Sequence, residues 1–436
     1  MNMKKYYKYA TIIAAFIFVI TLLGCGSVNE PESTGTFLEN EGKTPEGAEN
    51  DSEKEEKGQA EEITPKETPL EEVSDEESQK EPQTITIAAV GDIMCHNLNL
   101  RSAFNPETGE YDFTGVFEYV REYIEDADLA IANLETVTAG EEEKYTSFPY
   151  FNTPDSILDA LKYTGFHVLV TANNHALDRK KKGILTTIEK INERGMRHVG
   201  TLATPEDDRF ITLDVKGFKI SIIAYSYSCN GNSPFLTEEE QKYMLNLIDE
   251  QKIKEDIEKA KEINSDIIIA YMHWGNEYHR TQSVHQEQLA EKLFDWGADI
   301  VLGTHPHVVQ KSEVVEVEGS LKYIIYSMGN FISNFRREDQ AQRPNKVYTE
   351  DGVIVRITLE KQSENGEDKT ILKSVKHIPT WVDMFYENGR PVHRILPILK
   401  ENMGKEYIND NNRKKAEGSY NNTMELMMDY QCEEDM

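Results

Sequence analysis

Between residues 84 and 328, short runs of β-branched and other apolar residues alternate with longer amphipathic stretches. Each run is apolar at nearly every position, which is typical of strands buried on both faces of a sheet. The amphipathic stretches have the apolar spacing of helices. They span roughly residues 115–126, 154–164, 182–194, 236–263 and 284–297. Strands that alternate with helices predict an α/β fold.

Six of the strand-like runs end in polar residues. They are TITIAAV before Asp92, DLAIA before Asn133 and Glu135, HVLVTA before Asn174 and His175, DIIIAYM before His273, DIVLG before His305 and His307, and KYIIYSM before Asn330. In open α/β sheets, ligands bind beyond the carboxyl ends of the strands. We therefore expect these side chains to share one site.

The stretch VLGTHPHVVQ brings His305 and His307 together around Pro306. Proline lacks an N–H and has a fixed φ, so the segment should be a turn that follows a strand. In an extended turn, residues i and i+2 point the same way, which would aim both imidazoles at a metal ion or an anionic substrate. Taken alone, the pair also fits two polar loop histidines.

The side chains at the strand ends offer carboxylate oxygen, amide oxygen and imidazole nitrogen. These groups are ligands for borderline divalent ions such as Mn, Fe, Co or Zn. A thiolate zinc site is not indicated, because no cysteine belongs to the set. Two such ions could polarise a phosphoryl or carbonyl oxygen and supply a hydroxide.

The chain begins with lysines and an apolar run at residues 11–23. The run is short for a membrane span, which needs ~20 residues, but it suits a secretory signal. It ends in LLGC, which resembles the lipobox of bacterial lipoproteins and implies cleavage before Cys25 and lipidation of its sulfur. An uncleaved signal anchor is the alternative. Either reading predicts an extracytoplasmic protein held at the bacterial cell membrane.

Residues 30–81 contain 19 acidic and 5 basic residues, a net charge of −14 out of −31 for the chain. With so few large apolar residues, the segment should remain a disordered tether. Since the chain has no basic stripe, we do not expect it to bind nucleic acid. The predicted organisation is a signal peptide at 1–24, an acidic tether at 25–83, one domain at 84–400 and an acidic C-terminal tail at 401–436.

The four cysteines have no spacing that indicates a disulfide framework. Cys95 is expected to be a small buried residue, with a reactive nucleophile as the alternative. Trp274 is expected to pack or to form a wall of the site, with binding of a cation as the alternative. Arg336, Arg337 and Lys346 are expected either in a solvated loop or in contact with an anionic polymer.

Six motifs occur in a familiar order: AAVGDIM, IANLET, TANNHALD, YMHWGNEY, GTHPHVVQ and YSMGNFI. Together they resemble the calcineurin-like metallophosphoesterase superfamily and, within it, the CapA family of poly-γ-glutamate capsule biosynthesis proteins. The resemblance covers about residues 84–400. It implies a four-layer α/β/β/α sandwich with its site at the strand ends.

The resemblance also assigns residue roles. Asp92 and Glu135 would be acidic ligands, with Glu135 bridging two ions. Asn174, His273 and His305 would complete the coordination of one ion, and His307 that of the other. His175 would take the position of the catalytic or phosphate-contacting histidine.

Three positions depart from the usual phosphoesterase pattern. Met94 replaces a histidine, Glu135 replaces an aspartate, and Ala176 stands where an acidic residue usually follows His175. The nearest carboxylate after that histidine is Asp178. Since one ion has lost a usual ligand, the site could hold one ion or two.

Three functions fit these expectations. The first is a lipid-anchored CapA-type component that helps synthesis, export or tethering of an anionic polymer beside polyglutamate synthase components. The second is a secreted metal-dependent hydrolase of a phosphoester or a γ-glutamyl amide. The third is a polymer-binding module without turnover.

Overall fold

The structure, a computed structural model, describes residues 83–340, 344–364 and 367–432. All of them belong to one compact unit, Glu77–Met436. Residues 1–82 hold the predicted signal peptide, Cys25 and nearly all of the predicted tether, and they lie outside the described residues. Within the described part of the chain, no helix has the length and apolarity to cross a membrane.

The described strands and helices follow in chain order. The strands are β1 (Gln83–Ile93), β2 (Leu129–Leu134), β3 (Val168–Val170), β4 (Arg197–Val199), β5 (Phe210–Val215), β6 (Phe218–Ser226), β7 (Ile267–His273), β8 (Ile300–Thr304), β9 (Ser312–Val317), β10 (Ser320–Ile325), β11 (Asn330–Ile332), β12 (Asp351–Glu364), β13 (Glu367–Glu387), β14 (Arg390–Pro397) and β15 (Tyr430–Gln431). The helices are α1 (Asn97–Ala103), α2 (Thr114–Phe117), α3 (Arg121–Glu125), α4 (Ser156–Thr164), α5 (Lys180–Glu193), α6 (Glu250–Glu262), α7 (Val284–Trp296) and α8 (Arg413–Met424).

These strands form two sheets. The first has the order β14-β13-β12-β1-β2-β3-β4, with β11 beside β1 and β15 beside β13. The second has the order β5-β6-β7-β8-β10-β9. Strands β1 to β4 are mutually parallel, as are β6, β7, β8 and β10. The carboxyl ends of the parallel strands in each sheet therefore lie at one edge.

Successive side chains of the central strands enter different apolar layers. Ile87 of β1 and Ile222 of β6 belong to a buried cluster that joins the two sheets. Val90 of β1 belongs to a second cluster, shared with α2, α3 and α4. Ile268 of β7 belongs to a third, shared with α6 and α7. Helices therefore cover the outer face of each sheet, which confirms the predicted four-layer α/β/β/α sandwich. Burial of each large aliphatic side chain contributes roughly 1.5–3 kcal/mol.

Two predicted helices differ from those observed. The stretch predicted at 115–126 forms two short helices, α2 and α3. The stretch predicted at 236–263 has one 3₁₀ turn at Glu240–Lys242 and becomes α-helical only at α6. Asp249 caps α6 by accepting hydrogen bonds from two backbone N–H groups of its first turn. Upstream, Leu245 and Leu247 form isolated β-bridges. Because a bridge needs extended backbone, the helix cannot begin earlier.

The folded part continues past the predicted boundary at residue 400. Helix α8 packs on a buried cluster that includes Trp381 and Ile398. The Ser419 hydroxyl donates a hydrogen bond to Asp351 (2.6 Å), and β15 pairs with β13. Described residues 401–432 are therefore part of the domain. This segment is rich in polar residues, so little in the sequence indicated its few apolar contacts.

Candidate metal centre at the strand ends

The six predicted metal ligands lie together in one buried cluster. They are Asp92, Glu135, Asn174, His273, His305 and His307. Asp92 lies within β1, and His273 ends β7. Glu135 and His305 directly follow β2 and β8, whereas Asn174 and His307 lie in the loops after β3 and β8. The Tyr271 hydroxyl donates to the Val90 carbonyl (2.6 Å), which ties the two sheets together close to these residues. The fold thus brings the strand ends of both sheets to the same place.

Two glycines allow this close approach of the backbone. A Cβ on Gly91 would lie 1.9 Å from the carbonyl oxygen of Gly329, and one on Gly303 would lie 2.0 Å from that of Tyr326. Both distances are far below contact, so neither position accepts a side chain without movement of the backbone. Gly91 precedes Asp92, and Gly303 precedes the turn that holds the two histidines. The two glycines therefore allow the close backbone packing that positions Asp92 and the turn with His305 and His307.

The sequence predicted an extended turn at His305 and His307, and this prediction is wrong. Both residues have left-handed backbone, with φ of 97° and 56°. Such angles are uncommon for residues other than glycine and persist where the surroundings impose them. Here the His305 N–H donates to a carboxylate oxygen of Asp92 (3.3 Å). The two rings still enter one cluster, with centroids 5.8 Å apart.

Glu135 occupies the centre of the cluster. Its Oε1 lies 3.8 Å from Nε2 of His273 and 3.9 Å from Nε2 of His307. Both carboxylate oxygens are buried and have no hydrogen-bond partner. Burial, reinforced by the charge of Asp92, raises the pKa of Glu135 well above its usual range. A buried carboxylate of this kind is costly unless a positive charge compensates it.

His273 and His305 each contribute a ring nitrogen to the cluster. Nδ1 of His273 lies 3.0 Å from the Thr304 hydroxyl, and its Nε2 lies 2.9 Å from the amide oxygen of Asn174. Nδ1 of His305 is buried without a partner. Burial, with a neighbouring histidine in each case, holds the pKa of His273 and His305 well below the ordinary value. Neutral imidazole is the form that binds metal ions.

Two asparagines to which the resemblance assigned no ligand role hold the cluster in place. The Asn133 amide donates to Asp92 (2.7 Å), and the Asn330 amide oxygen lies 3.1 Å from Nδ1 of His307. Contacts of this kind orient metal ligands. Both residues belong to the motifs IANLET and GNFI, and the strand-end pattern of the sequence had already placed them in the shared site.

His175 lies beside the cluster and is held by a carboxylate. Its Nδ1 lies 2.7 Å from Oδ2 of Asp178, and the same oxygen accepts a hydrogen bond from the Phe151 N–H (2.7 Å). Both side chains are nearly fully buried. Asp178 therefore fixes the orientation of the imidazole and leaves Nε2 for other contacts. Asp178 lies three residues after His175, and Ala176 occupies the position that is usually acidic.

The ligand set fits one or two divalent ions. Two groups of side chains offer ligand atoms that all lie within 4.8 Å of one another: Glu135 with His273 and His305, and Asp92 with Glu135 and His307. Opposite ligands of one ion at ~2.1 Å are separated by ~4.2 Å, so the spacing is close to what an ion requires. Glu135 belongs to both groups, as a bridging ligand would. The mixture of oxygen and nitrogen donors suits Mn, Fe or Zn.

Other residues singled out by the sequence have structural contacts. Burial raises the pKa of Cys95 to about 12, which disfavours a nucleophilic thiolate. Trp274 is buried and donates from Nε1 to the Tyr326 carbonyl (3.0 Å). His96 lies outside both ligand groups, and its Nδ1 accepts from the Asn334 N–H (3.2 Å).

Arg336 and Arg337 are not in a solvated loop, because acidic side chains of the domain pair with both. Arg336 is 5% exposed and lies 2.8 Å from Oε1 of Glu350. Arg337 binds the other oxygen of that carboxylate (2.5 Å) and contacts Asp351 (3.4 Å). Both guanidinium groups are therefore neutralised inside the domain. Lys346, from the same loop, places its Nζ over the ring of Tyr278, 4.1 Å from the centroid.

Two facing sheets whose parallel strands bring carboxylate, amide and imidazole side chains to one edge define an α/β/β/α sandwich protein with a candidate metal centre. The family model for "Bacterial capsule synthesis protein PGA_cap" matches residues 86–335, more than half of the chain. The chain belongs to this family of bacterial capsule synthesis proteins.

The chain is also similar to individual proteins. The capsule biosynthesis protein CapA of Bacillus anthracis is 31% identical over 261 residues, which cover 58% of this chain and 61% of that protein. The PGA biosynthesis protein CapA of Bacillus subtilis is 27% identical over 258 residues, covering 57% and 63%. The chain thus spans less than two thirds of either relative. The solved calcineurin-like phosphoesterase YfkN of Bacillus subtilis is 12% identical, with a TM-score of 0.40, and the match covers 79% of this chain and 98% of that one.

Proposed function

We propose that this protein is an extracytoplasmic, membrane-anchored accessory component of capsule or poly-γ-glutamate synthesis whose strand-end cluster binds one or two divalent ions. Family membership and the names of the two relatives support the capsule role. One observation supports metal binding most directly. Both oxygens of Glu135 are buried without a hydrogen-bond partner, although His273 and His307 lie close to them. A cation bound there would remove the cost of that buried carboxylate.

The residues that would hold the ions are Asp92, Glu135, Asn174, His273, His305 and His307. A divalent ion supplies a Lewis acid that polarises a carbonyl or phosphoryl oxygen. His175 would hold or deliver a proton at Nε2, because Asp178 occupies its Nδ1. This pair favours a second candidate function, metal-dependent hydrolysis of a γ-glutamyl amide or a phosphoester.

The two candidates can be separated with the purified full chain. A short γ-linked glutamate oligomer and a generic phosphodiester would each be incubated with and without manganese. Cleavage of either that needs manganese and is lost in His175→Asn would establish a hydrolase and identify its bond. Binding of the oligomer without cleavage would leave an accessory or polymer-binding role. If the protein binds no manganese and no oligomer, the proposal is wrong.

The capsule role needs a test in cells. In a host that makes poly-γ-glutamate, deletion of the gene should reduce polymer at the cell surface. Wild-type protein should restore the polymer, and Glu135→Gln should not. Restoration by the Glu135→Gln variant would separate the capsule role from the metal site. Co-purification from such cells would show whether polyglutamate synthase components are partners.

Membrane attachment is proposed from the LLGC motif alone. Cys25→Ser should leave the protein without lipid and its precursor uncut at that site, which metabolic labelling with a fatty acid and electrophoretic mobility would reveal. Normal labelling of this variant would end the claim.

A further inference from the structure

The loop that follows β6 packs against the candidate metal centre. It begins at Tyr227, directly after the last residue of the strand. The Tyr227 N–H donates to the carbonyl of His273 (2.9 Å), and the centroid of the Tyr227 ring lies 4.3 Å from that of His305. Both histidines belong to the same ligand group. The loop is therefore tied, through backbone and side chain, to the residues that would hold one ion.

Asn230, in the same loop, contacts the predicted ligand Asn174. The amide nitrogen of Asn174 donates to the side-chain oxygen of Asn230 (3.3 Å). The amide oxygen of Asn174 lies 2.9 Å from Nε2 of His273. Two neighbouring ligands that bind one ion at ~2.1 Å and at right angles are ~3.0 Å apart. The Asn174 oxygen therefore lies where a second ligand of the His273 ion would be.

The orientation of the Asn174 amide decides whether this residue can be a ligand. The oxygen of a primary amide offers lone pairs, whereas its nitrogen only donates. Asn174 is buried, and within the described part of the chain Asn230 is the one hydrogen-bond partner of its nitrogen. A half-turn of the amide would direct two N–H bonds toward the ion. The hydrogen bond to Asn230 opposes that rotation.

The preceding residue, Asn173, shows a different arrangement. Its amide nitrogen donates to the Asn133 side chain (3.1 Å) and to the Leu134 carbonyl (2.8 Å). Its amide oxygen accepts a hydrogen bond from the His175 N–H (3.1 Å). Both ends of this amide are thus held by groups that a structural residue would use. The Asn174 amide is held by its nitrogen from outside the cluster, and its oxygen faces a candidate ligand.

The backbone offers a competing explanation for an asparagine at position 230. Asn230 and Gly231 both have left-handed backbone, with φ of 52° and 72°, and Asn-Gly is favoured in turns with positive φ at both central residues. The Asn230 N–H also donates to the Ser228 hydroxyl (2.9 Å). A turn alone needs no contact with Asn174, and glycine would form it equally well. The two explanations therefore differ in what they expect of Asn230→Gly.

We propose that Asn230 is a positioning residue for the metal centre. It holds the Asn174 amide so that the oxygen, and not the nitrogen, faces the ion. That ion is the one that Glu135, His273 and His305 would bind. The inference rests on the metal binding in the proposed function and adds a residue outside the ligand set. Loss of a contact that orients a ligand typically lowers metal affinity about 10- to 100-fold.

The test measures the manganese affinity of the full-length protein by isothermal titration calorimetry, with the paramagnetic resonance signal of free Mn²⁺ as a second readout. The variants are Asn230→Gly, Asn230→Asp, Asn174→Ala and the double variant Asn174→Ala/Asn230→Gly. Asn264→Gly is the matched control, because Asn264 is also exposed and has a left-handed φ of 56°. It precedes β7, whose far end is His273, ~20 Å away at 3.3 Å per residue.

Asn230→Gly should weaken the binding of one manganese ion about tenfold. Its thermal midpoint in the presence of a chelator should stay near that of the wild type, because glycine keeps the turn. Asn230→Asp retains an acceptor oxygen and should bind manganese at least as tightly as the wild type, and Asn264→Gly should match the wild type. Equal affinities of wild type and Asn230→Gly would overturn the inference and leave Asn230 as a turn residue.

The double variant separates positioning from a general disturbance of the loop. If Asn230 acts through Asn174, Asn230→Gly should have no further effect once residue 174 is changed to alanine. Additive losses would overturn the inference, since Asn230 would then act by another route. Failure of the wild type to bind manganese would remove the metal centre itself and with it the role of Asn230. Binding by the wild type that Asn230→Gly reproduces would remove the role of Asn230 alone.

Discussion

Nε2 of His307 and Oε1 of Glu135 face each other at 3.9 Å inside the protein. The distance is too long for a hydrogen bond, and neither oxygen of this carboxylate has a hydrogen-bond partner. Buried polar groups in folded proteins are nearly always paired. The arrangement is therefore what two ligands of one ion would show.

Metal content should separate the histidines inside the cluster from the one outside it. His305→Ala removes a nitrogen that lies beside Glu135 and His273, so the variant should lose much of the bound metal. His96→Ala should keep it, because the His96 ring packs against Phe151 and Phe335 and its Nδ1 already accepts a hydrogen bond. Elemental analysis of proteins purified side by side gives the answer. Equal losses in the two variants would contradict the assignment.

The cluster was predictable from sequence because of a topological rule. Parallel strands place their carboxyl ends at one edge, so polar residues after successive strand-like runs must come close together. The rule needs only the order of the runs, and Asp92, Glu135 and His273 obey it. It does not give backbone conformation. The expected extended turn at His305 and His307 was replaced by two left-handed residues, which Gly303 and the contact with Asp92 impose.

Other parts of the fold were harder to predict from the sequence. Strands β12, β13 and β14 pair antiparallel and end in no polar motif, so the strand-end pattern did not reveal them. Helix α8 has few apolar residues and is held largely by polar contacts to Asp351. The burial of Arg336 follows from its pairing with Glu350, which lies far enough along the chain that local composition does not predict it.

The stability of the domain should depend on pH through Asp351. Burial raises the pKa of this carboxyl from its ordinary 3.8 to about 6. Between these values the folded protein binds a proton that the unfolded chain has released, so stability falls as pH rises. A shift of about two pKa units corresponds to roughly 3 kcal/mol.

The matched comparison for Asp351 is Asp351→Asn, which cannot titrate. Chemical unfolding from pH 4 to 7 should show the wild type losing stability relative to this variant as pH increases. The difference between the two proteins cancels the contribution of every other titrating group. A difference that stays constant over this range would show that the carboxyl does not titrate there.

The acidic segment at residues 30–81 should contribute little to the domain. Its composition offers almost no large apolar side chain for a core, and charged chains of this kind gain too little from burial to offset ordering. Deletion of the segment should leave the thermal midpoint of the domain nearly unchanged by calorimetry. A fall of several degrees would show that the segment packs on the domain.

Two buried glutamates should respond in opposite ways to loss of their charge. Glu350 accepts hydrogen bonds from Trp381 and pairs with Arg336 and Arg337, whereas Glu135 has no such partner. In the presence of a chelator, Glu350→Gln should destabilise the protein by roughly 3–5 kcal/mol, the cost of breaking a buried ion pair. Glu135→Gln should leave stability unchanged or higher, because it removes a carboxylate that nothing compensates.

Addition of manganese should then stabilise the wild type and Glu350→Gln but not Glu135→Gln. An ion that binds only the folded protein stabilises it by about 2.7 kcal/mol at a hundredfold excess over Kd, so the midpoints of wild type and Glu350→Gln should rise together. The midpoint of Glu135→Gln should not move, since the side chain shared by both ligand groups is gone. Differential scanning calorimetry with and without manganese measures all three proteins. An equal rise in Glu135→Gln would mean that the ion binds elsewhere, and Glu135 would then need another explanation for its unpaired oxygens.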